Sequence, residues 1–287
     1  MAREIINGIG IAYELMGKES DPAIVLTPGG RFPMTTPGLK ELGEKLVAGG
    51  RRVLLWDRPN CGQSDFSIVG DAESEMHGEA LSGLIRKLDL GPMVIAGGSA
   101  GSRITLITAS RNPDLFTHVV VWWITGGHAG LAGLMRTYAA EAATAVSVRG
   151  MQGAAEHFGW AEQCENNPGL RAALLAQNPR HFIAKMQKWT AAYIPPAGSP
   201  MPGMSPEDFA AIKVPVLIMQ NGANDLAHVP ATTEWVHRLI PHSQLVAAPW
   251  GDDEWNERSS ARNTGAAAGL FVNWPKLTPQ ILDFIKS

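Results

Sequence analysis

The stretch that most limits what this chain can fold into runs from Pro92 to Ser102. It is an apolar, β-rich segment that ends in Gly97-Gly98-Ser99-Ala100-Gly101 and passes at once into a helical pattern. A serine on so sharp a strand-to-helix turn takes a strained backbone, and a side chain two residues away on either side would collide with it. Gly97 and Gly101 remove those side chains. The spacing predicts a nucleophile elbow. It leaves the backbone N–H of Ala100 at a helix N-terminus, where it can donate to charge developing on an oxygen above Ser99. Five residues of this form also arise by chance, so the flanking strand and helix carry much of the weight.

Around the elbow, strand and helix alternate. Ile5–Glu14 alternates about Asn7-Gly8, a strong hairpin signal, so the chain opens with two antiparallel strands. Strands are expected at Ala23–Thr27 and Val53–Trp56, separated by a helix with Leu39, Leu42 and Leu46 on one face. Ala80, Leu81, Leu84, Ile85 and Leu88 form the helical face that leads into the elbow strand. Val119–Ile124 is apolar on both faces, as inside a parallel sheet. From about Ala129 to Met204 only helical patterns occur, closed by the Pro-rich run Ile194–Met204. The sheet then resumes with Val214–Gln220, a helix with the face Trp235, Val236, Leu239 and Ile240, a last strand Gln244–Ala248, and a closing helix from Thr278-Pro279. The expected architecture is α/β, a mostly parallel twisted sheet flanked by helices. Residues 1–128 and 205–287 form its core, and residues 129–204 are inserted as a helical cap.

The 287 residues are ample for a full hydrophobic core, and a net charge of −3 leaves no basic footprint for nucleic acid or an anionic membrane. Cys61 and Cys164 are the only cysteines and lack metal-ligand spacing, so neither a disulfide framework nor a zinc site is suggested. No apolar run reaches the length of a membrane span, and the expected location is the cytoplasm. No cofactor or metal is expected. The expected partner is a small apolar substrate or ligand, with a homodimer left open.

These landmarks, in order, resemble the α/β-hydrolase superfamily over nearly the whole chain. They are the hairpin start, Pro28-Gly29-Gly30-Arg31 after the third strand, Asp57–Asp65, the elbow, the helical insertion and Asn221–Asp225. The resemblance implies that Ser99 is the nucleophile and that Gly30 and Ala100 supply oxyanion N–H groups. It also implies that Asp225, after the seventh strand, is the acid of a triad. Asp225 follows its apolar strand at the C-terminal end, where ligands collect in open α/β sheets.

The sequence departs from the family where its histidine should follow the last strand. There the chain reads Pro249-Trp-Gly-Asp-Asp-Glu-Trp-Asn-Glu257, without a histidine, and the segment Arg258–Trp274 beyond it is longer than usual. A serine hydroxyl needs a base, and imidazole suits neutral pH. Three substitutes are open. His128 lies in Thr125-Gly-Gly-His128 at the same sheet edge as Ser99, and is otherwise a polar residue on the cap hinge. Asp253 (or Asp252) stands in the family's slot, and is otherwise part of an acidic loop in solvent. His228 lies three residues past Asp225, and is otherwise the start of the next helix. His242 reads as a turn residue. Arg31, beside the oxyanion loop, is a candidate clamp for a substrate carboxylate or else a solvated arginine. Arg58 and Asp65 read as residues that hold their own loop. Trp123, with Trp122, Trp160 and Trp189, suggests an apolar pocket or else core.

The leading expectation is a hydrolase of an apolar ester, amide or activated carbon–carbon bond that uses Ser99 with a non-standard base. A ligand-binding protein, or a lyase or cyclase on the same scaffold, is the alternative.

Overall fold

The structure, a computed structural model, describes residues 1–263 and 269–286, leaving aside the side chains of residues 262 and 263. Eight strands form one sheet: β1 (Ala2–Ile6), β2 (Ile9–Met16), β3 (Ala23–Thr27), β4 (Arg52–Trp56), β5 (Met93–Gly98), β6 (Phe116–Trp122), β7 (Val216–Met219) and β8 (Gln244–Val246). The helices are α1 (Leu39–Ala48), α2 (Glu73–Lys87), α3 (Ala100–Arg111), α4 (Gly127–Met135), α5 (Glu141–Ala155), α6 (Phe158–Asn166), α7 (Pro168–Leu175), α8 (Pro179–Ala191), α9 (Pro206–Ala211), α10 (Pro230–Leu239), α11 (Glu254–Asn263) and α12 (Thr278–Phe284). A single π-helical turn, Arg136–Ala140, links α4 to α5.

The sheet order is β1-β2-β4-β3-β5-β6-β7-β8. β2 pairs antiparallel with β1 and β4, and every other neighbouring pair is parallel. Asn7 and Gly8 have φ of 51° and 79°, the two left-handed residues that a type I′ hairpin requires, and this fixes the Ile6–Ile9 register. Period-two alternation splits the central strands between two cores. Val25, Leu54 and Ile95 face the layer that holds α2 and α3, while Ile24, Leu26, Val53 and Leu55 face the layer that holds α1 and α12.

Connections reverse direction between β3 and β5, which puts the crevice of this sheet beside Ser99. Between β6 and β7 no described residue is in a strand. The helices there lie over the loops at the C-terminal edge, tied by Arg31 Nη1 to Gly159 O (2.8 Å), Gly62 N–H to Gln163 Oε1 (3.0 Å) and Asn167 Nδ2 to Gly62 O (2.9 Å). No described helix is long and apolar enough to cross a membrane.

Some element ends and faces differ from the expected pattern: β7 covers Val216–Met219 only, and β8 ends at Val246 and not at Ala248. β6 ends at Trp122 and not at Ile124, because Trp123 turns into the left-handed region (φ 48°). Trp235 is exposed on α10: Val236 and Ile240, one turn apart, set the buried stripe, and Trp235 lies off it. Of the segment expected to be unusual, Arg258–Trp274, residues 264–268 lie outside the described residues.

Candidate active site

Ser99 follows β5 directly and caps α3 with φ 58° and ψ −125°, a conformation uncommon for a residue with a Cβ. Its surroundings hold it there. Its N–H donates to Trp122 O (3.2 Å), and its carbonyl accepts from the N–H and hydroxyl of Ser102 (2.9 and 2.6 Å). The loop after β3 passes so close that a Cβ on Gly29 would stand 2.7 Å from Ser99 Cβ. Buried Arg58 fixes that loop from behind, donating from Nη2 to Gly29 O and Phe32 O, both at 3.1 Å. Arg58 therefore braces a neighbouring loop as well as standing in its own. Asp65 ties the opening hairpin, accepting from Gly10 N–H (2.7 Å) and pairing with Arg3.

After β7 the chain turns at Asn221, whose Nδ2 donates to Ile124 O (3.1 Å), two residues past the end of β6. Asp225 then curls the backbone into an Asx-type turn: its Oδ1 accepts from the N–H of Ala227 (2.9 Å) and of His228 (2.8 Å). This turn swings the His228 ring back, so that Nδ1 lies 2.8 Å from Asp225 Oδ2 and Nε2 lies 2.9 Å from Ser99 Oγ. All three residues are almost fully buried. A carboxylate that accepts from Nδ1–H leaves Nε2 free to accept from the Ser99 hydroxyl. The arrangement can therefore take the serine proton during attack on an electrophile. Pro230 at the first position of α10 keeps His228 outside the helix.

The other expected residues lie as follows. His128 is exposed at the start of α4, with no hydrogen bond to Ser99. Asp253 is exposed and accepts from Asn224 Nδ2 (2.8 Å), while Asp252 Oδ1 accepts from Ala223 N–H (3.1 Å). The acidic pair after β8 thus props the loop that holds Asp225 and His228 from outside. Of the three substitutes left open, His228 is the one brought to Ser99, and the expectation for His128 and Asp253 is corrected: the short Asx turn already fills the place with His228.

Arg31 does not belong to the wall of the cavity above Ser99 and is not solvated. It is buried, with Nε and Nη2 on Glu73 Oε1 (3.1 and 2.9 Å), Nη1 on Gly159 O, and its guanidinium 3.9 Å from the centroid of Trp160. Its donors tie the loop after β3 to Glu73 of α2 and, through Gly159 O and Tyr138 O, to the inserted helices. Trp123 does not line the cavity but lies beneath His228, ring on ring at 5.6 Å. Gly30 (φ 47°) does line the cavity with Ser99, and Ala100 opens α3 with an N–H that has no intrahelical partner.

The cavity above Ser99 measures about 440 Å³. Its described walls are mostly apolar, with Phe32, Leu134, Leu270 and Phe271 beside the uncharged polar Thr125, Thr137 and Asn256, and no Asp, Glu, Lys or Arg belongs to them. Phe158 and Leu226, 72% and 73% exposed, stand at its mouth. Tyr138, on the π-helical turn, joins the wall beside Gly30, and burial holds its phenol above the ordinary range, so it stays a hydrogen-bond donor. Sequence reading missed these residues. Only Leu226, a large apolar residue next to Asp225, carried a visible signal. Among the described residues no cluster of His, Cys, Asp or Glu could hold a metal ion.

A serine at a strand-to-helix elbow, bonded to an imidazole that is itself bonded to a buried carboxylate, defines a nucleophilic triad geometry on an α/β sheet. Comparison with known proteins agrees with that fold. The family described as alpha/beta hydrolase fold matches residues 32–122. The chain has the alpha/beta hydrolase fold.

Over 87 residues the chain is 37% identical to the 2-hydroxy-6-oxononadienedioate/2-hydroxy-6-oxononatrienedioate hydrolase of Cupriavidus pinatubonensis, covering 30% of this chain and 29% of that protein. Over 113 residues it is 35% identical to the sn-1-specific diacylglycerol lipase ABHD11 of Mus musculus, covering 39% and 36%. The match thus spans about a third of these curated relatives. Two solved structures share the fold over almost their full length. The enol-lactonase of Burkholderia xenovorans LB400 has TM-score 0.61 and 19% identity, covering 100% of both chains. The meta-cleavage product hydrolase CumD of Pseudomonas fluorescens IP01 has TM-score 0.60 and 15% identity, covering 100% of this chain and 97% of that one.

Proposed function

We propose that this protein is a serine hydrolase that cleaves uncharged, apolar esters through an acyl-enzyme. Ser99 is the nucleophile, His228 the general base and acid, and Asp225 the group that orients the imidazole. The observation that carries this reading is the unbroken line from Asp225 Oδ2 through the His228 ring (2.8 Å) to Ser99 Oγ (2.9 Å). Residues 1–128 and 205–287 serve as the core, and residues 129–204 as the cap that roofs the cavity.

Ser99 Oγ attacks the ester carbonyl carbon as His228 Nε2 takes its proton, and the backbone N–H groups of Ala100 and Gly30 receive the oxyanion. Collapse breaks the bond to the leaving oxygen, which takes the proton back from His228 Nε2. Water then enters, loses a proton to the same nitrogen and attacks the acyl carbon. The second collapse releases a carboxylic acid and returns the proton to Ser99. The name of the Cupriavidus relative specifies a dioate, with two carboxylates. No charged side chain is among the described walls of this cavity, which supports uncharged groups on both sides of the scissile bond. Hydrolysis of a carbon–carbon bond beside a ketone is a second reading, favoured by the names of the relatives and using the same Ser99.

The test is intact-mass labelling with a small fluorophosphonate, followed by turnover of neutral p-nitrophenyl esters. Labelling is expected in the wild type, absent in Ser99→Ala, slowed by about 10³-fold or more in His228→Ala, and unchanged in His128→Ala and Asp253→Asn. A wild type that resists both reagents overturns the reading in favour of a ligand-binding protein.

A further inference from the structure

We infer that Trp123 is a positioning residue for His228, its indole face being the platform that sets the imidazole plane; the inference rests on the reading of His228 as the base. The two rings are stacked, with centroids 5.6 Å apart and planes 16° from parallel. Trp255, from α11, meets the same imidazole edge-on at 4.6 Å and 87°. The two hydrogen bonds of His228 fix where its nitrogens point, but both lie in the ring plane and resist tilting out of it only weakly. A flat surface beneath the ring supplies that restraint.

The backbone of Trp123 is what makes the stack. In a continuing strand, residues 122 and 123 would face opposite sides of the sheet. Instead φ at Trp123 is 48°, in a region bulky side chains avoid, and both indoles pack on Trp274, at 4.9 and 5.7 Å. Strain of this kind persists where the surrounding structure enforces it, and it gathers at functional sites. Here its result is that the fully buried Trp123 lies under a histidine placed on the loop after β7 instead of after β8. The slot after β8 meanwhile carries Trp250 and Trp255, which pack on Trp123 (both at 5.4 Å) and close the aromatic box. The imidazolium formed during attack then rests on an indole face within cation–π reach.

The test compares Trp123→Leu with the conservative Trp123→Phe, and with Phe209→Leu, a fully buried residue of α9 remote from the site. Trp123→Leu is expected to lower kcat and the phosphonylation rate of Ser99 by about 10- to 100-fold with KM nearly unchanged, and Trp123→Phe to restore most of both. Phe209→Leu should lower the melting temperature and leave kcat alone. Independently of activity, the downfield proton resonance of the His228 Nδ1–H should persist in the wild type and Trp123→Phe and be lost to solvent exchange in Trp123→Leu. A Trp123→Leu protein that keeps that resonance and its kcat, losing only melting temperature, would reduce Trp123 to packing and overturn the inference. If the wild type is neither labelled nor active, the nucleophile reading fails instead, and the resonance still decides the role of Trp123.

Discussion

Asp225 holds His228 twice: Oδ1 accepts the backbone N–H of His228 at 2.8 Å, and Oδ2 stands 2.8 Å from its ring Nδ1. One carboxylate therefore both builds the turn that delivers the histidine and selects its tautomer. Asparagine in its place can still accept the backbone N–H groups, but it offers an N–H to Nδ1, which drives the ring proton to Nε2 where Ser99 needs an acceptor. Asp225→Asn is expected to fold normally and to lower kcat by about 10⁴-fold. Asp225→Ala should lose the turn as well, with a visibly lower melting temperature. Normal turnover in Asp225→Asn would mean that the carboxylate does not set the tautomer.

The closeness of the loop after β3 to the elbow yields a second expectation. A methyl on Gly29 would lie 2.7 Å from Ser99 Cβ and 3.1 Å from its Oγ. The loop must then lift, and the Gly30 N–H moves with it away from the oxyanion. Gly29→Ala should lower kcat by about 10²-fold or more with KM affected less. Gly251→Ala, which meets nothing within 4 Å, is the neutral control. Circular dichroism of both variants should match the wild type.

How far the sequence carried can be read residue by residue. Strands buried on both faces appear as unbroken apolar runs, so Leu54 and Val120 announce the parallel sheet, and Asn7-Gly8 announces its hairpin. Ser99 was legible because the elbow is a local demand of five consecutive residues. His228 was within sight, three residues from Asp225, but nothing in the spacing says that an aspartate side chain will bend the backbone until the ring faces a serine 129 residues away. The family's slot after β8 drew attention to Asp253, which in fact props the same loop from outside. Arg31 was misread for a related reason. Its partners Glu73 and Gly159 lie 42 and 128 residues along the chain, a convergence that tertiary packing decides and local pattern does not. Trp123 broke the alternation rule by a single left-handed residue.

Arg31 gives a third expectation. Its guanidinium and the Glu73 carboxylate are 4% and 8% exposed and 2.9 Å apart. Removing one partner leaves an uncompensated buried charge, which costs about 3–5 kcal/mol. Glu73→Gln should show that loss in urea unfolding. The pair Arg31→Met with Glu73→Leu removes both charges and should recover much of it. The double variant still lacks the bonds from Arg31 to Gly159 O and Tyr138 O, so its KM for neutral esters should rise as the inserted helices loosen over the cavity. Full recovery of both stability and KM would show that Arg31 does not couple the oxyanion loop to those helices.

The acid stability of the fold turns on His77, buried in α2 with Nε2 3.0 Å from Pro59 O. Burial, reinforced by the positive charge of Arg58, holds its imidazole well below the usual histidine range, so it stays neutral and donates to that carbonyl. In the unfolded chain the same ring takes up a proton near pH 6.5. The unfolded state therefore binds more protons than the native one as pH drops below that value, and stability falls with it, by at most about 1.4 kcal/mol per pH unit for one such group. Above pH 7 the contribution is fully present. His77→Gln removes the titrating ring and retains an amide N–H to offer Pro59. Urea unfolding between pH 7 and 5 should show a shallower acid decline in this variant, by about one proton. An unchanged slope would mean that His77 protonates in the folded state too.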